Sequence, residues 1–532
     1  MFFLAFTLLL AANSIPGLTS RSIIAEDSNQ DDYLLIKING LVNERSIDKF
    51  LENIAADVRK FDPSLCAGPT PYTPPKSEWY PTYHLAPPSG WMNDPNGLIH
   101  FGGYFHAFYQ HNPYAPEPEQ IHWGHARSTD MLEWEHLPPA LAPSIEEDKN
   151  GCFSGSAVND GGTLKLMYTG NGDVQVQCLA TSNDSSGIHF TKQGKVLDNP
   201  EGVINFRDPK VLPLNGEWFV VIGTEFQGEG QIRLYKSGDL QQWEEQGVLT
   251  DRQSGLGGYM WECPDFFPLE DKYLLMFSPQ GIKPEGYLYR NLYDNGYFLG
   301  TWSPDTPFDI EKEFTLLDHG HDFYAPQTFQ APDERRIVIA WMDMWESPMP
   351  EKKQGWAGSL TLPREMTLND DGDLLINPIR EVEGLRTEPT TNSETILHSE
   401  KLLLSDEVYA AEVDITWNLT SSVAETYGLH LGHPNSSEGL FLYVDNQAQR
   451  LTLDRRYPQY DLVGYRSVSL SNKDTVSLRV FYDHSSVEVF VDGGRSCMSS
   501  RIYPTMKKRQ LSLYAENGDA TLLSSTLWML QK

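Results

Sequence analysis

The sequence predicts an all-β protein in which a five-bladed β-propeller is followed by a C-terminal β-sandwich, with a short helical extension at the N-terminus. Three observations lead to this prediction: many turn residues, a repeat in the middle of the chain and strand-like alternation near its end. The 532 residues include 42 glycines and 35 prolines, and 12% are aromatic. Many turns combined with many aromatic residues are typical of all-β folds.

Five short strand-like segments of similar character occur in the middle of the chain. They begin at Tyr104, Leu164, Trp218, Tyr273 and Ile337, at intervals of 60, 54, 55 and 64 residues. Repeats of this length that contain several short strands are typical of propeller blades, each of which is a four-stranded sheet. We therefore predict five blades over residues 78–380.

The C-terminal part of the chain has a different pattern. Residues 381–400 are polar and predict a linker. Residues 401–532 contain alternating segments that begin at Val476 and Val487, and the Asp492-Gly-Gly sequence predicts a tight hairpin turn. A β-sandwich is the simplest interpretation.

The N-terminus begins with the apolar run Phe2 to Ala12, which predicts a secretory signal peptide over residues 1–20. The alternative is a buried N-terminal helix. Residues 21–77 form an extension with apolar residues at helical spacing between Ile47 and Val58, which predicts one amphipathic helix before a proline-rich linker. Sequons at Asn183, Asn418 and Asn435 favour a secreted glycoprotein.

The charge of the chain restricts its partners. There are 41 basic and 73 acidic side chains, so the net charge is −32. This argues against nucleic-acid and anionic-membrane partners, which require basic surfaces, and it disfavours phosphorylated substrates. The five cysteines have no metal-ligand spacing, and the pairs His122/His125 and His319/His321 resemble no known metal motif. We predict no metal and no cofactor.

A second regularity accompanies the five segments. Ten or eleven residues before each one lie Asp94, Ser154, Asp208, Glu262 and Gln327. Because equivalent positions of successive blades face the same place, these side chains are expected to converge at the central channel. The alternative is a set of solvated acids in Asp-Pro and Cys-Pro turns. Three carboxylates in phase with the repeat favour a common pocket.

Two adjacent carboxyl groups can hydrolyse a glycoside with retention, one as nucleophile and the other as acid and then base. Nearby like charges and burial raise the pKa of the acid. The aromatic residues Trp91, Phe153, Trp261 and Trp341 lie close to the acids in sequence and are candidates to cover sugar faces. These residues therefore indicate a carbohydrate-active enzyme.

The sequence around these residues resembles glycoside hydrolase family 32, which contains the β-fructofuranosidases (invertases), inulinases and levanases. The closest likeness is to its bacterial sucrose and sucrose-6-phosphate hydrolase branch. The resemblance extends from about residue 78 to the C-terminus. Four blocks carry it: Trp91-Met-Asn-Asp-Pro-Asn-Gly97, Phe153-Ser-Gly-Ser156, Phe206-Arg-Asp-Pro-Lys210 and Glu262-Cys-Pro-Asp265.

The resemblance implies a role for each matching residue. Asp94 would be the nucleophile that forms a fructosyl-enzyme, Glu262 the acid/base, and Asp208 the residue that binds fructose hydroxyls and stabilises the transition state. Other residues would line the substrate site: Trp91, Asn93, Gln110, Trp123, Phe153, Ser154, Arg207 and Trp341. At Pro118 some relatives have a tryptophan, so contacts to the leaving group differ here.

We therefore expect an enzyme that cleaves terminal β-D-fructofuranosides, with sucrose as the main substrate. Alternatives within the same chemistry are fructan hydrolysis, fructosyl transfer and sucrose-6-phosphate hydrolysis. A non-catalytic sugar-binding propeller is a more remote alternative, because all three carboxylates are present. Cys263, beside Glu262, is interpreted as a packing or tuning thiol rather than a nucleophile. The oligomeric state is left open.

Overall fold

The computed structural model describes residues 23–26, 35–38, 75, 77–304, 306–432, 438–504 and 509–532. The chain divides into two units, residues 1–61 and 62–532. In the first unit, β1 (Ile23–Glu26) and β2 (Leu35–Ile38) pair as an antiparallel hairpin. The predicted signal peptide, the predicted helix near residues 47–58 and the sequon at Asn435 lie outside the described residues.

The second unit contains five sheets arranged around a common axis, as the five-fold repeat predicted. The first three sheets are blade I, with β3 (Gly90–Phe101), β4 (Tyr104–Asn112), β5 (His122–Ser128) and β6 (Glu135–Leu141); blade II, with β7 (Cys152–Asp160), β8 (Thr163–Asn171), β9 (Gln175–Ser182) and β10 (Phe190–Leu197); and blade III, with β11 (Val203–Leu214), β12 (Glu217–Phe226), β13 (Glu229–Ser237) and β14 (Glu244–Thr250).

Two further sheets complete the propeller. They are blade IV, with β15 (Met260–Leu269), β16 (Lys272–Gln280), β17 (Gly296–Thr301) and β18 (Asp309–Thr315), and blade V, with β19 (Tyr324–Gln330), β20 (Arg336–Trp341), β22 (Arg364–Leu368) and β23 (Leu374–Pro378). Short 3-10 helices cover Glu146–Asp148, Arg252–Ser254, Pro350–Gln354, Arg380–Leu385 and Pro458–Tyr460. In the part of the chain that the structure describes, no helix is long and apolar enough to cross a membrane.

The five repeated apolar segments are the second strands of the blades, β4, β8, β12, β16 and β20. The first strand of each blade is innermost, and β3, β7, β11, β15 and β19 each contact the next around the ring. The ring is closed by β21 (Trp356–Ala357), which leaves blade V and pairs in parallel with β3 of blade I. The five-bladed propeller is confirmed.

The C-terminal domain is a sandwich of two antiparallel sheets. The first sheet contains β24 (Thr390–Asn392), β25 (Thr395–His398), β27 (Ala410–Asn418), β32 (Thr475–Asp483), β33 (Ser486–Val491), β34 (Ser496–Arg501) and β36 (Asp519–Met529). The second contains β26 (Lys401–Ser405), β28 (Thr426–Gly432), β29 (Gly439–Asp445), β30 (Arg450–Tyr457), β31 (Leu462–Ser469) and β35 (Gln510–Glu516). The predicted Asp492-Gly-Gly turn joins β33 to β34.

The structure differs from the sequence prediction at residues 381–400. This segment was predicted to be a linker, but it contains β24 and β25, which both pair with β36. Leu397 is buried in the sandwich core, while its neighbours Ile396 and His398 are exposed. Edge strands that expose one face have a polar composition, so the alternation of apolar and polar residues that indicates a strand was not evident in this segment. The sandwich therefore begins at about Thr390.

Residues 77–86 precede the first blade and pack against the sandwich. Trp79 lies in the sandwich core and contacts the rings of Tyr460 and Tyr503. The carboxylate of Asp483 accepts hydrogen bonds from the backbone N–H groups of Thr82 and His84 and from the backbone of Tyr83 between them. This segment therefore ties the propeller to the sandwich before blade I begins.

Candidate active site

The innermost strand of every blade is interrupted by a β-bulge at the same level. The register breaks lie between Met92 and Pro95, Phe153 and Gly155, Arg207 and Lys210, Glu262 and Asp265, and Tyr324 and Gln327. In four of them the broken segment contains or ends at a proline, which has no N–H to give to the ladder. Bulges re-aim side chains away from the sheet. They turn the predicted acids towards the channel.

Three of the bulge residues have left-handed backbone conformations. The φ angles are 67° at Asp208, 49° at Cys263 and 50° at Ala325. Such values are uncommon for residues other than glycine and concentrate at functional sites. The strained backbone positions of blades III, IV and V therefore lie at the same level of the channel as the three acids.

One end of the channel opens into a cavity of about 560 Å³. All three predicted acids, Asp94, Asp208 and Glu262, line this cavity. Five more of the predicted site residues line it with them: Asn93, Gln110, Phe153, Ser154 and Arg207. The sequence prediction that these side chains converge is met by the structure.

Asp94 is held at the base of the cavity by three donors. Its Oδ2 accepts hydrogen bonds from Ser154 Oγ at 2.7 Å and from the Cys263 thiol at 3.4 Å, and its Oδ1 accepts one from Asn93 Nδ2 at 2.9 Å. Burial raises the pKa of Asp94 and the Glu262 carboxylate adds to this, while the hydrogen bonds from Ser154 and Asn93 oppose it. The carboxylate is therefore oriented and partly charge-stabilised.

Asp208 lies beside the same thiol. Its Oδ2 accepts the backbone N–H of Cys263 at 3.0 Å and the Cys263 thiol at 3.5 Å. Burial raises the pKa of Asp208 to about 7; the Arg207 guanidinium opposes this, whereas the carboxylates of Glu262 and Asp94 contribute to it. The three acids are therefore close enough for the charges of Asp94 and Glu262 to affect the pKa of Asp208.

Glu262 has three side-chain donors around its carboxylate. Arg207 Nε donates to Oε1 at 3.0 Å, and Gln280 Nε2 donates to Oε2 at 2.6 Å. The hydroxyl of Tyr324 also donates to Oε2. Since Gln280 and Tyr324 come from the neighbouring strands β16 and β19, the position of this acid is fixed from two blades.

Cys263 is a buried thiol between two carboxylates. Burial raises the pKa of the Cys263 thiol well above its usual value, and Asp208 and Asp94 raise it further. A thiol that stays protonated is a poor nucleophile and a weak hydrogen-bond donor. The structure therefore favours the interpretation of Cys263 as a tuning group. Cys152, Cys178, Cys263 and Cys497, the cysteines within the described residues, are all free.

Four predicted aromatic residues lie behind the cavity wall rather than on it. Trp91, Trp123, Trp261 and Trp341 are fully buried. Trp91 Nε1 donates to Asn93 Oδ1 at 2.7 Å, and Trp123 Nε1 donates to the carbonyl of Phe153 at 3.0 Å. These rings position residues that do line the cavity. Gln327 is also set back, because its side chain donates to the carbonyl of Cys263 at 3.0 Å.

Several cavity residues were not singled out from the sequence. They are Trp345, Gln175, Asn205, Asn150, Glu119, Gln120 and Ile121. Trp345 is the aromatic wall of the cavity and stacks on Trp91 with ring centroids 5.9 Å apart. The phase of the repeat does not mark these residues, because most of them lie in loops and Gln175 and Asn205 lie at other positions of their strands. Nor was a role assigned from the sequence to Tyr324 or Gln280, the two residues that hold Glu262 together with Arg207.

Comparison with known proteins agrees with this geometry. The model described as "Glycosyl hydrolases family 32 N-terminal domain" matches residues 84–378, and that described as "Glycosyl hydrolases family 32 C terminal" matches residues 381–529. A raffinose invertase of Escherichia coli is 52% identical over 463 residues, which cover 85% of this chain and 95% of the relative. A sucrose-6-phosphate hydrolase of Zymomonas mobilis is 43% identical over 480 residues, covering 86% and 93%.

Among solved structures, a Bombyx mori GH32 beta-fructofuranosidase superposes with a TM-score of 0.75 and is 34% identical, with 92% of this chain and 99% of that chain covered. The two family models together span the propeller and the sandwich. The chain belongs to glycosyl hydrolase family 32.

Proposed function

We propose that the protein is a retaining β-fructofuranosidase that hydrolyses sucrose to glucose and fructose. The observation that carries this proposal is the meeting of Asp94, Asp208 and Glu262 around one cavity in a member of this family. Two carboxyl groups suffice for retaining hydrolysis, and a third can stabilise positive charge at the anomeric carbon. Of the relatives named above, one is named a raffinose invertase and one a sucrose-6-phosphate hydrolase, and a variant of the Bombyx mori enzyme was solved in complex with sucrose.

In this proposal Asp94 attacks the anomeric carbon of the fructosyl unit and forms a covalent ester. The donors Ser154 and Asn93 hold its carboxylate in one orientation, which lowers the entropic cost of attack. Glu262 gives a proton to the leaving oxygen and then takes one from the attacking water. The release of free glucose and fructose completes one turnover.

Asp208 has a different role in the proposal. Asp208 lines the same cavity as Asp94. Its Oδ2 accepts the backbone N–H of Cys263. We propose that Asp208 accepts hydrogen bonds from the hydroxyls of the fructosyl ring. Its carboxylate then stabilises the positive charge that the ring develops in the transition state. Phe153, Gln110 and Arg207 complete the walls around that unit.

Sucrose-6-phosphate is the less favoured substrate. Recognition of a phosphate requires free cationic groups. Of the described residues that line the cavity, Arg207 is the only cation, and it is bound to Glu262. Nearby, Lys352 pairs with Glu117 at 2.7 Å. These contacts favour unphosphorylated sucrose as the substrate. Inulin and levan remain substrates to compare with it, and fructosyl transfer remains an alternative to hydrolysis.

The test is to measure fructose and glucose release from sucrose, raffinose, sucrose-6-phosphate, inulin and levan. Asp94→Asn and Glu262→Gln are expected to lower kcat for sucrose at least a thousandfold while the fold is retained. Asp271→Asn and Glu201→Gln change exposed carboxylates and serve as matched controls. Sucrose turnover that survives Asp94→Asn would overturn the proposal, as would a preference for sucrose-6-phosphate over sucrose.

We also propose that the protein is secreted and glycosylated. The apolar run Phe2 to Ala12 supports export. The sequon residue Asn183 is exposed in a loop between strands, which is the kind of position that accepts a glycan. Expression of the full chain in a eukaryotic secreting cell tests both: we expect activity in the medium and a glycosidase-sensitive mass that Asn183→Gln reduces. Activity retained inside the cell would contradict secretion.

A further inference from the structure

The leaving group of the reaction must lie against Glu262. The acid that protonates the leaving oxygen has to be within hydrogen-bond reach of it, so the sugar attached to that oxygen occupies the space beside this carboxylate. This step rests on the proposed function. The question is then which side chains near Glu262 offer a surface to a sugar ring.

Blade I does not offer an aromatic surface there. The blade I residues of the cavity wall include Pro118, Glu119 and Gln120, and none of these has an aromatic ring. Of the described residues that line the cavity, Phe153 and Trp345 are the aromatic ones. Trp345 packs on Trp91 and Trp341 rather than on a residue that holds Glu262.

A line of three tyrosines, two from blade IV and one from blade V, ends at Glu262. The Tyr324 hydroxyl donates to the Glu262 carboxylate, and the Tyr324 ring lies 5.8 Å from that of Tyr293, measured between centroids. The Tyr293 hydroxyl is 3.3 Å from the hydroxyl of Tyr259. The three rings therefore lead outward from the acid to the solvent.

Tyr259 is the outer member of this line, with 39% of its surface exposed. Its ring lies over Gly281, where a Cβ atom would stand only 2.6 Å from Tyr259 Cδ1. Its backbone N–H donates to the carbonyl of Gln280, whose side chain binds Glu262. A flat ring with one apolar face and a tethered hydroxyl is a rigid surface for a sugar. Because Gly281 has no Cβ, the ring of Tyr259 can lie directly over it.

We propose that Tyr259, held by Tyr293, is the platform on which the leaving-group pyranose stacks. The substrates that it favours are fructosides whose leaving group is a sugar ring with an apolar face, such as the glucosyl unit of sucrose or the galactosyl-glucose unit of raffinose. A leaving group without a ring gains nothing from it.

Two substrates separate this role from general damage to the site. Sucrose has a pyranose leaving group, and methyl β-D-fructofuranoside has only methanol. Loss of one aromatic contact reduces binding by a factor of about two to ten. In Tyr259→Ala we expect kcat/KM for sucrose to fall about fivefold more than kcat/KM for the methyl fructoside, chiefly through KM.

Tyr259→Phe keeps the ring and is expected to keep the parent preference for sucrose. Tyr287→Ala is a matched control, because Tyr287 is 42% exposed and packs against Arg450 away from the cavity. Equal losses on both substrates in Tyr259→Ala, or no loss on sucrose, would overturn the platform. If the parent protein cleaves neither fructoside, the proposed function itself fails, and the inference that rests on it fails too.

Discussion

The backbone N–H of Cys263 on blade IV donates a hydrogen bond of 3.0 Å to the carboxylate of Asp208 on blade III. Both residues have left-handed backbone conformations within bulges of their strands. The two bulges therefore support one another across the blade boundary. The Cys263 thiol extends the same arrangement to Asp94 at 3.4 Å.

Removing the Cys263 thiol is expected to shift the acidic limb of the pH–activity profile. The hydrogen bond from Cys263 lowers the pKa of Asp94, although burial keeps that pKa raised overall. In Cys263→Ala the nucleophile becomes protonated at a higher pH, so kcat/KM falls from a higher pH as the medium is acidified. At neutral pH a loss of about three- to tenfold in kcat corresponds to one weak hydrogen bond.

Cys263→Ser provides the comparison, because its hydroxyl can donate to the same carboxylate and should restore part of the profile. The buried thiol of the parent protein should also resist iodoacetamide, since its raised pKa keeps it protonated. Complete loss of activity in both variants, with rapid alkylation of the parent, would instead indicate a cysteine nucleophile.

Asp208→Asn is expected to stabilise the fold while it abolishes turnover. The pKa of Asp208 in the folded protein is about 7, above the ordinary 3.8, so the folded state binds more protons than the unfolded state between these values. Stability therefore decreases as the pH rises through this window, by at most about 4 kcal/mol. Asparagine removes that loss and tolerates a positive φ.

Thermal unfolding of the variant and the parent at pH 4 and pH 8 tests this prediction. The stabilisation should appear at pH 8 and nearly vanish at pH 4, where Asp208 is protonated in the folded state and the pH is close to its pKa in the unfolded state. Asp271→Asn, an exposed counterpart, should change neither value. A variant that is less stable than the parent at pH 8 would contradict the charge-repulsion account.

His84 is expected to stabilise the junction between the propeller and the sandwich in a pH-dependent way. Its Nδ1 lies 2.8 Å from Asp483 Oδ2 and its Nε2 lies 2.6 Å from Glu488 Oε1. Burial alone would lower the pKa of His84, but the two carboxylates outweigh it and the pKa is raised. The contribution is therefore complete below about pH 6.5 and is lost as the pH rises through the folded-state pKa.

The variant His84→Gln removes the cation beside Asp483 and leaves Glu488 with Arg364 as its paired cation. Its cost is about 3 kcal/mol near pH 6. The pKa values of Asp483 and Glu488 are lowered in the fold, so their share of the stability is lost at acidic pH. Denaturant unfolding at pH 6 and pH 9 should show a smaller cost at pH 9. His398→Gln breaks an exposed pair with Asp519 and should cost almost nothing. Equal costs for the two variants would refute this role.

Much of the fold was predictable because it repeats. The period of the apolar segments located β4, β8, β12, β16 and β20, and the phase of the preceding residues located the acids. The bulges could be suspected from the prolines after Asp94, Asp208 and Cys263, but their left-handed geometry could not. The short strands β24 and β25 were not predicted, because exposed edge strands have the composition of a linker.

The site was predicted less completely away from the phased positions. Trp345 reaches the cavity from a loop, and Gln175 and Asn205 reach it from other positions of their strands, so the repeat does not mark them. The positions of the buried tryptophans relative to the cavity were also hard to predict. Trp261 and Trp341 were expected to face a sugar because they lie close to an acid in sequence, but this proximity does not distinguish a wall residue from the residue that supports it.

The claim that Asp94 forms the covalent intermediate can be tested by trapping it. In Glu262→Gln, an aryl β-D-fructofuranoside whose phenol leaves without acid assistance should fructosylate the enzyme, and the missing base should slow the release of fructose. We predict that peptide mass spectrometry of the quenched protein finds one fructosyl unit on Asp94, together with one equivalent of phenol released in a burst. A fructosyl unit on another residue, or a burst without any covalent adduct, would contradict the account.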